Sequence, residues 1–302
     1  MPHEKPPKVS VCVLAYNHEN YIRQCLQSIV EQEVDFDFEV IVGADSSSDN
    51  THAIVREFVE THPGVVSAIF RNANIGGTRN YVATHALARG EYVAHIDGDD
   101  LMLPGKLRVQ ATFLSDNPDF VGVWHRMKTI AEDGYAPDPA PVTAIEPVTQ
   151  RVVLQRGFAG YHSSLMYRRD KKPILRSSGD ILDLHISVEL LKNGLGAILP
   201  DVLGVYRKGV GVMANDREGV RRLVTEMLDH YLGLYPEYRS EINRCAFSLF
   251  VREALTGSRG AMRFLHTFLI SLTWRTPLSV CSECISLARS AFTRLYSYLV
   301  NR

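Results

Sequence analysis

The sequence predicts an α/β fold, a mostly parallel sheet with helices on both faces, followed by a C-terminal helical extension. Three observations carry this. Over residues 9–96 short β-rich runs alternate with stretches of period 3.6, the pattern of βαβ units. The β-rich runs are nearly continuous in apolar residues, as strands covered on both faces are. Beyond Asn215 only helical periodicity remains.

The totals agree with one sizeable core. A chain of 302 residues, 45% hydrophobic and 22% charged, holds a large α/β core with length left for a smaller element, and is too apolar for general disorder. A net charge of −1 argues against nucleic acid as a partner, because such a partner needs a clustered positive surface. Charge is uneven, however: from Arg252 onward there are seven arginines and two acids. Five scattered cysteines, among them Cys12 in an apolar strand and Cys25 on a helix face, read as reduced thiols of a cytosolic protein. Cys281 and Cys284 form a lone C-x-x-C with no second pair, a weak metal or redox signal. The proline-rich start has no apolar signal region, and no apolar run reaches the ~18 residues of a membrane span.

Val9-Ser10-Val11-Cys12-Val13-Leu14-Ala15 reads as a buried first strand that ends at Tyr16-Asn17-His18. From Glu19 the period becomes helical, with Ile22, Cys25, Leu26, Ile29 and Val30 on one stripe and Asn17 or His18 near the cap. Residues 38–43 form the second strand, and the loop 44–51 feeds a helix through Phe58 for which Ser48 or Asp49 suits the N-cap. Strand three, 65–70, passes through the turn 72–77 into a helix over 79–88, and 91–96 is strand four.

Strand four runs into Asp97-Gly98-Asp99-Asp100. Three carboxylates within four residues repel one another unless a cation joins them, although a solvated turn or helix cap is the plainer reading. Hard oxygen ligands at Asp97 and Asp99 suit Mg²⁺ or Mn²⁺ completed by substrate phosphates and water, and Gly98 permits close approach of backbone or ligand. An EF-hand is excluded, since Met102 stands where that loop needs glycine. In a parallel α/β sheet ligands bind beyond the carboxyl ends of the strands, so Tyr16-Asn17, Asp45 and the acid run should share one edge. Free N–H groups near Asn17 and Ser48 there suit a diphosphate.

Further on, 106–114 is a helix with Leu107, Ala111 and Leu114 inward, 120–125 a strand, and 134–147 an extended loop rich in proline and alanine. Residues 156–164 precede a strand over 165–168, a helix runs to Lys192 with Asn193-Gly194 as its C-cap, and 202–207 is the last strand. Four helical stretches follow, marked by Val220 to Tyr231, by Ile242 to Phe250, by 259–274 and by 277–299.

The runs VSVCVLAYNHENYIRQCLQSIVEQ, ADSSSDNT, NANIGGTRNYVATHALARGEYVAHIDGDD and PGKLRVQATFL, in that order, resemble the family 2 glycosyltransferases of GT-A fold, over roughly residues 8–212. The resemblance implies a Rossmann-like catalytic domain at 1–212, a helical region at 213–302, and an inverting hexosyl transfer from a nucleotide sugar. It implies that Ala15, Tyr16, Asn17 and Asn74 line the donor, that Asp45 contacts the nucleobase, and that Asp97, with Gly98, lies against the ribose. Asp99 is then the ligand of Mg²⁺ or Mn²⁺, and Arg207 or Lys208 neutralises the diphosphate. An aspartate at a helix start acts as base in this family; counting back from Gly194 selects Asp183 over Asp180. His162 is read as a satisfied loop residue, with a sugar hydroxyl as the other reading. The chain departs from the family at Ala44, where an acidic pair is usual, and at Gly209, where many relatives have histidine. A nucleotidyltransferase would instead show a glycine-rich basic loop after strand one. A silent scaffold acting through the helical tail is the remaining alternative. The resemblance also implies a UDP-sugar donor, a glycan or lipid-linked acceptor of surface polysaccharide synthesis, and a cytoplasmic site of action. The basic, aromatic tail suits either peripheral contact with the inner membrane face or packing against protein.

Overall fold

The computed structural model describes residues 5–131, 134–135, 142–175, 183–210, 216–255, 260–277, 280–281 and 284–285. The chain forms two compact units, one of residues 1–150 and 159–216 and the other of 151–158 and 217–302.

In the first unit β1 (Val9–Ala15) is central, paired in parallel with β2 (Phe38–Ala44) on one side and β4 (Tyr92–Asp97) on the other. Every residue of β1 except Leu14 is buried, as expected of an apolar strand between two neighbours and beneath helices. β3 (Val66–Phe70) closes that edge in parallel with β2. The stripe foreseen on α1 (Ile22–Val30) is real: Ile22, Cys25, Leu26 and Ile29 are all fully buried in the main core. Burial of a side chain of this size typically stabilises by about 1.5–3 kcal/mol. α2 (Thr51–Thr61) and α3 (Gly77–His85) complete the βαβ pattern.

The sheet runs β3-β2-β1-β4-β9-β6-β10-β5, with β5 at Leu101–Met102, β6 at Phe120–Ala131, β9 at Met166–Arg168 and β10 at Leu195–Arg207. The long ladders are parallel, including β6 with β10. Short antiparallel strands join them, above all β9, which bridges β4 and β6. α4 (Lys106–Asp116) follows β5.

Several elements differ from expectation. The loop read over 134–147 contains β7 (Gly134–Tyr135), and its far end belongs to β8 (Glu146–Val148), an antiparallel partner of β10. Pro147 conceals that strand in the sequence, because proline is tolerated only on such edges. β10 starts at Leu195, directly after Gly194, and two register shifts near Val202 make its first half irregular. α5 (Gln150–Arg156) was not foreseen. α6 (Asp183–Leu190) begins at Asp183, whereas Asp180 lies outside the described residues.

The second unit is helical. α7 (Arg217–Leu234), α8 (Arg239–Leu255) and α9 (Ala261–Ile270) bury Leu228, Tyr231, Ile242, Cys245, Ala246 and Phe264. Buried Asn243 donates from Nδ2 to the Phe268 carbonyl (2.9 Å) and to Ser271 Oγ (3.0 Å). Thr267 Oγ1 donates to Asp229 Oδ1 at 2.7 Å. No helix among the described residues is long and apolar enough to cross a membrane. Cys281 and Cys284 are exposed free thiols.

Candidate active site

The strand ends meet at one edge because of register. Ala15 stands opposite Ala44, and Leu14 opposite Asp97. The Asp45 N–H donates to the Ala15 carbonyl at 2.9 Å, and the Gly98 N–H to the Leu14 carbonyl at 2.8 Å. A Cβ on Gly98 would lie 2.8 Å from that carbonyl and 2.8 Å from His18 Nδ1. Glycine here lets the acid turn close onto β1, a contact of backbone with backbone.

The loop after β1 is stitched to the loop after β2. Ala15 is 1% exposed and offers only its backbone, whereas Tyr16 is 46% exposed. Asn17 has φ +53°, a left-handed conformation that asparagine tolerates better than most residues. It is no side-chain cap for α1. Its N–H donates to Ser47 Oγ (3.1 Å), and its Oδ1 accepts from the Ser48 N–H (2.9 Å). The His18 N–H donates to Thr51 Oγ1 (2.8 Å) and the Glu19 N–H to Asp49 Oδ2 (3.0 Å). The N-cap of α2 is Asn50, with no side-chain cap hydrogen bond, rather than Ser48 or Asp49; Asp49 Oδ1 instead accepts from the Thr51 N–H (2.9 Å), so Asp49 braces both loops.

Asp45 is 2% exposed. Its carboxylate accepts from the N–H groups of Ser46 (2.9 Å), Ile75 (3.0 Å) and Gly76 (3.1 Å). It thereby fastens the turn before α3 to the end of β2. Exposed Asn74 closes the same turn, its Oδ1 accepting from the Gly76 N–H at 2.8 Å.

The acid run divides into three environments. Burial alone would raise the Asp97 carboxyl, but a hydrogen bond from His95 Nε2 to Oδ1 (3.2 Å) overrides it and holds Asp97 well below the usual range. Asp99, 8% exposed, is raised by burial and by the charge of Asp97, with His18 and Arg207 pulling the other way. Asp100 is also raised, by burial and by both neighbours, and its Oδ1 accepts the Arg207 N–H at 2.9 Å. Asp100 thus ties the acid turn to the last strand.

Arg207 ends β10 with its guanidinium over the Tyr21 ring at 5.1 Å and hydrogen-bonded to Gln24. Gly209 has φ +94° with open space beside its Cα, so a histidine on this backbone would be strained. Asp183 opens α6 with solvent-exposed surface, yet its carboxyl is raised by the desolvating walls around it and by the charge of Asp97. Asp183 is thus close enough to Asp97 for that charge to bear on its carboxyl, with His162 pulling the other way.

Sequence reasoning missed several groups here. Lys106, fully buried, donates from Nζ to the Ser163 carbonyl at 2.9 Å, and burial pushes its amine down to about 7. The Asp97 N–H donates to Ser163 Oγ at 3.0 Å. His162 is 8% exposed, lies tilted against His95 at 4.0 Å between ring centroids, and leaves both ring nitrogens without a protein partner among the described residues, so it is not the satisfied loop histidine expected. One sequence signal was available: His95 interrupts the apolar run of β4 two residues before Asp97.

Among the described residues no three metal-ligating side chains come together. The donor set nevertheless fits Mg²⁺ or Mn²⁺, because the Asp99 carboxyl, raised by burial and by the charge of Asp97 beside it, is relieved by a divalent cation, and Mg²⁺ takes most of its shell from phosphates and water.

An α/β sheet that carries a run of acids at its carboxyl edge is of the class that binds ligands beyond the strand ends. The particular family follows from residues 10–172, which match the glycosyl transferase family 2, and the chain belongs to that family of glycosyltransferases using nucleotide sugars. It is 31% identical over 203 residues to the uncharacterized protein Rv1520 of Mycobacterium tuberculosis, covering 66% of this chain and 58% of that one. It is 32% identical over 169 residues to the uncharacterized glycosyltransferase alr2836 of Nostoc, covering 54% and 51%. The chain thus spans a little over half the length of these relatives. The crystal structure of Staphylococcus aureus TarS 1-349 in complex with UDP-GlcNAc shares its GT-A fold, with TM-score 0.60, 20% identity, and 91% of this chain and 79% of that chain covered.

Proposed function

We propose that the protein transfers a sugar, with inversion, from a UDP-sugar to an acceptor hydroxyl. The observation that supports this is that Asp45 and the acid run 97–100 follow the ends of two strands that both pair with β1, with Asp183 at the start of α6 close enough to Asp97 for that charge to raise its carboxyl. Asp45 and Asn74 shape the turn against which the nucleobase lies, and Ala15, Tyr16 and Asn17 line its other side. Asp97 and Gly98 face the ribose. Asp99 holds Mg²⁺ or Mn²⁺, which supplies charge neutralisation of the diphosphate leaving group when bound. Arg207 adds a fixed cation near Asp99, to whose acidity it already contributes.

Asp183 takes the proton of the acceptor hydroxyl as that oxygen attacks the anomeric carbon from the face opposite the nucleotide. The C–O bond to the acceptor forms as the bond to the diphosphate breaks. His162, with its two open nitrogens, stands within charge reach of both carboxylates and is placed to bond a sugar hydroxyl. UDP as the nucleotide is supported by the fold shared with TarS, which its title describes bound to UDP-GlcNAc. A surface polysaccharide or lipid-linked glycan is the proposed acceptor class.

General-base assistance typically contributes about 10² to 10⁴ in rate. Asp183→Asn is expected to lose turnover by that factor while UDP binding in Mn²⁺ stays within about twofold. Full activity in this variant would remove Asp183 from the mechanism. Asp99→Ala is expected to abolish the Mn²⁺ dependence of UDP affinity in calorimetry; metal-dependent binding that survives it would place the cation elsewhere.

The second unit is proposed to touch an anionic membrane surface. Met262 and Leu269 on α9 and Leu272 and Trp274 just beyond it are exposed there, with the Arg275 guanidinium 4.9 Å over the Trp274 ring.

A further inference from the structure

Behind Asp97, taken as the donor-side carboxylate of the proposed function, stands a chain of buried side chains. His95 and Asp97 lie two apart on β4, so their side chains leave the same face of the strand. An imidazole among Val93, Ala94 and Ile96 is costly unless its nitrogens are paired. His95 is fully buried and both its nitrogens are paired: Nε2 lies 3.2 Å from Asp97 Oδ1, and Nδ1 lies 3.0 Å from His85 Nε2 on α3. His85 Nδ1 in turn lies 2.8 Å from the Tyr167 hydroxyl on β9.

The proton positions follow from the partners. An ionised carboxylate only accepts, so His95 Nε2 carries a hydrogen. His95 is fully buried, which favours the neutral ring, so with its hydrogen on Nε2 its Nδ1 is a bare acceptor. His85 Nε2 must then donate. Burial also keeps His85 neutral, which leaves its Nδ1 to accept from the Tyr167 hydroxyl. All three hydrogen bonds point one way, toward Asp97, and bonds aligned in this manner polarise one another. Tyr81 covers His85 at 3.8 Å and His162 covers His95 at 4.0 Å between ring centroids, shielding the chain of bonds on its flank.

We propose that Tyr167, His85 and His95 form a one-way hydrogen-bonded relay that positions the Asp97 carboxylate for the nucleotide-sugar donor. None of the three is a catalytic residue; they act through Asp97. The relay grips Oδ1, while Oδ2 faces Ser163 Oγ at 3.4 Å and the side chain keeps 44% of its surface exposed.

The test uses the full chain and UDP with Mn²⁺, measured by calorimetry. Tyr167→Phe removes one hydroxyl at the far end of the relay and is expected to weaken UDP binding about 3- to 10-fold, the worth of roughly one hydrogen bond. His95→Phe is expected to weaken it at least as much, and His95→Gln, whose amide N–H can still reach the carboxylate, to recover part of the loss. Unchanged binding in Tyr167→Phe beside a loss in His95→Phe would reduce the relay to one local hydrogen bond and overturn it. Unchanged binding in Asp97→Asn would instead overturn the donor reading of Asp97. Nitrogen-15 spectra of labelled histidine in the unmodified chain give a readout free of folding defects. His85 and His95 should each show the neutral Nε2–H tautomer at pH 7, and an Nδ1–H tautomer or an imidazolium at either position refutes the relay.

Discussion

At the scale of single residues, burial sets the chemistry of this crevice more than sequence neighbours do. The Asp183 carboxyl is raised by desolvation and by Asp97, and a general base works only when ionised. Activity should therefore fall as pH drops through a midpoint above the ~3.9 of a free aspartate, an acid limb that vanishes in Asp183→Asn. Lys106 gives a stability signature of its own. Its amine titrates near 7 in the fold against 10.5 for an unperturbed lysine, so between those values the unfolded chain binds the extra proton. Stability contributed at this site thus rises with pH from about 7 to about 10.5. Urea unfolding of the wild type and Lys106→Met across that range should show the wild type gaining on the variant as pH rises; parallel curves would show that the buried amine is not perturbed.

At the scale of elements, loops are held by side chains that also mark the site. Asp45 accepts three backbone N–H groups, two of them from the turn before α3. Asp45→Ala should cost about 1–3 kcal/mol for the donors left buried, and hydrogen exchange should accelerate at the Ile75 and Gly76 amides. Protection that persisted there would show the turn to be held by other contacts. Much of this level was legible in the sequence. The α1 stripe was readable because one face of an amphipathic helix repeats every 3.6 residues, and β1 because a strand covered on both sides is apolar throughout. β8 and the first half of β10 were not, since Pro147 and Pro200 interrupt the strand pattern and partners far along the chain supply the pairing.

At the scale of the whole molecule, the second unit presents exposed apolar and aromatic side chains beside arginines. Co-sedimentation of the full chain with vesicles containing anionic lipid should exceed that with neutral vesicles and fall with salt, and Trp274→Ser should weaken it. Equal binding to both vesicle types, or none, would assign these side chains to contact with protein.

The sequence by itself determined the alternation of strands and helices, the family, and the acids at strand ends, because periodicity and motif order are local properties of a chain. It placed Asp45, Asp97 and Asp99 at one edge, since parallel strands that share a register end together. Only the tertiary structure decided what surrounds those acids. Tyr167, His85 and His95 are up to 82 residues apart in hydrogen-bonded contact, and Lys106 reaches the Ser163 carbonyl across 57 positions. Hydrogen bonds between side chains so distant in sequence depend on how β4, β9, α3 and α4 pack, and no local pattern encodes that packing.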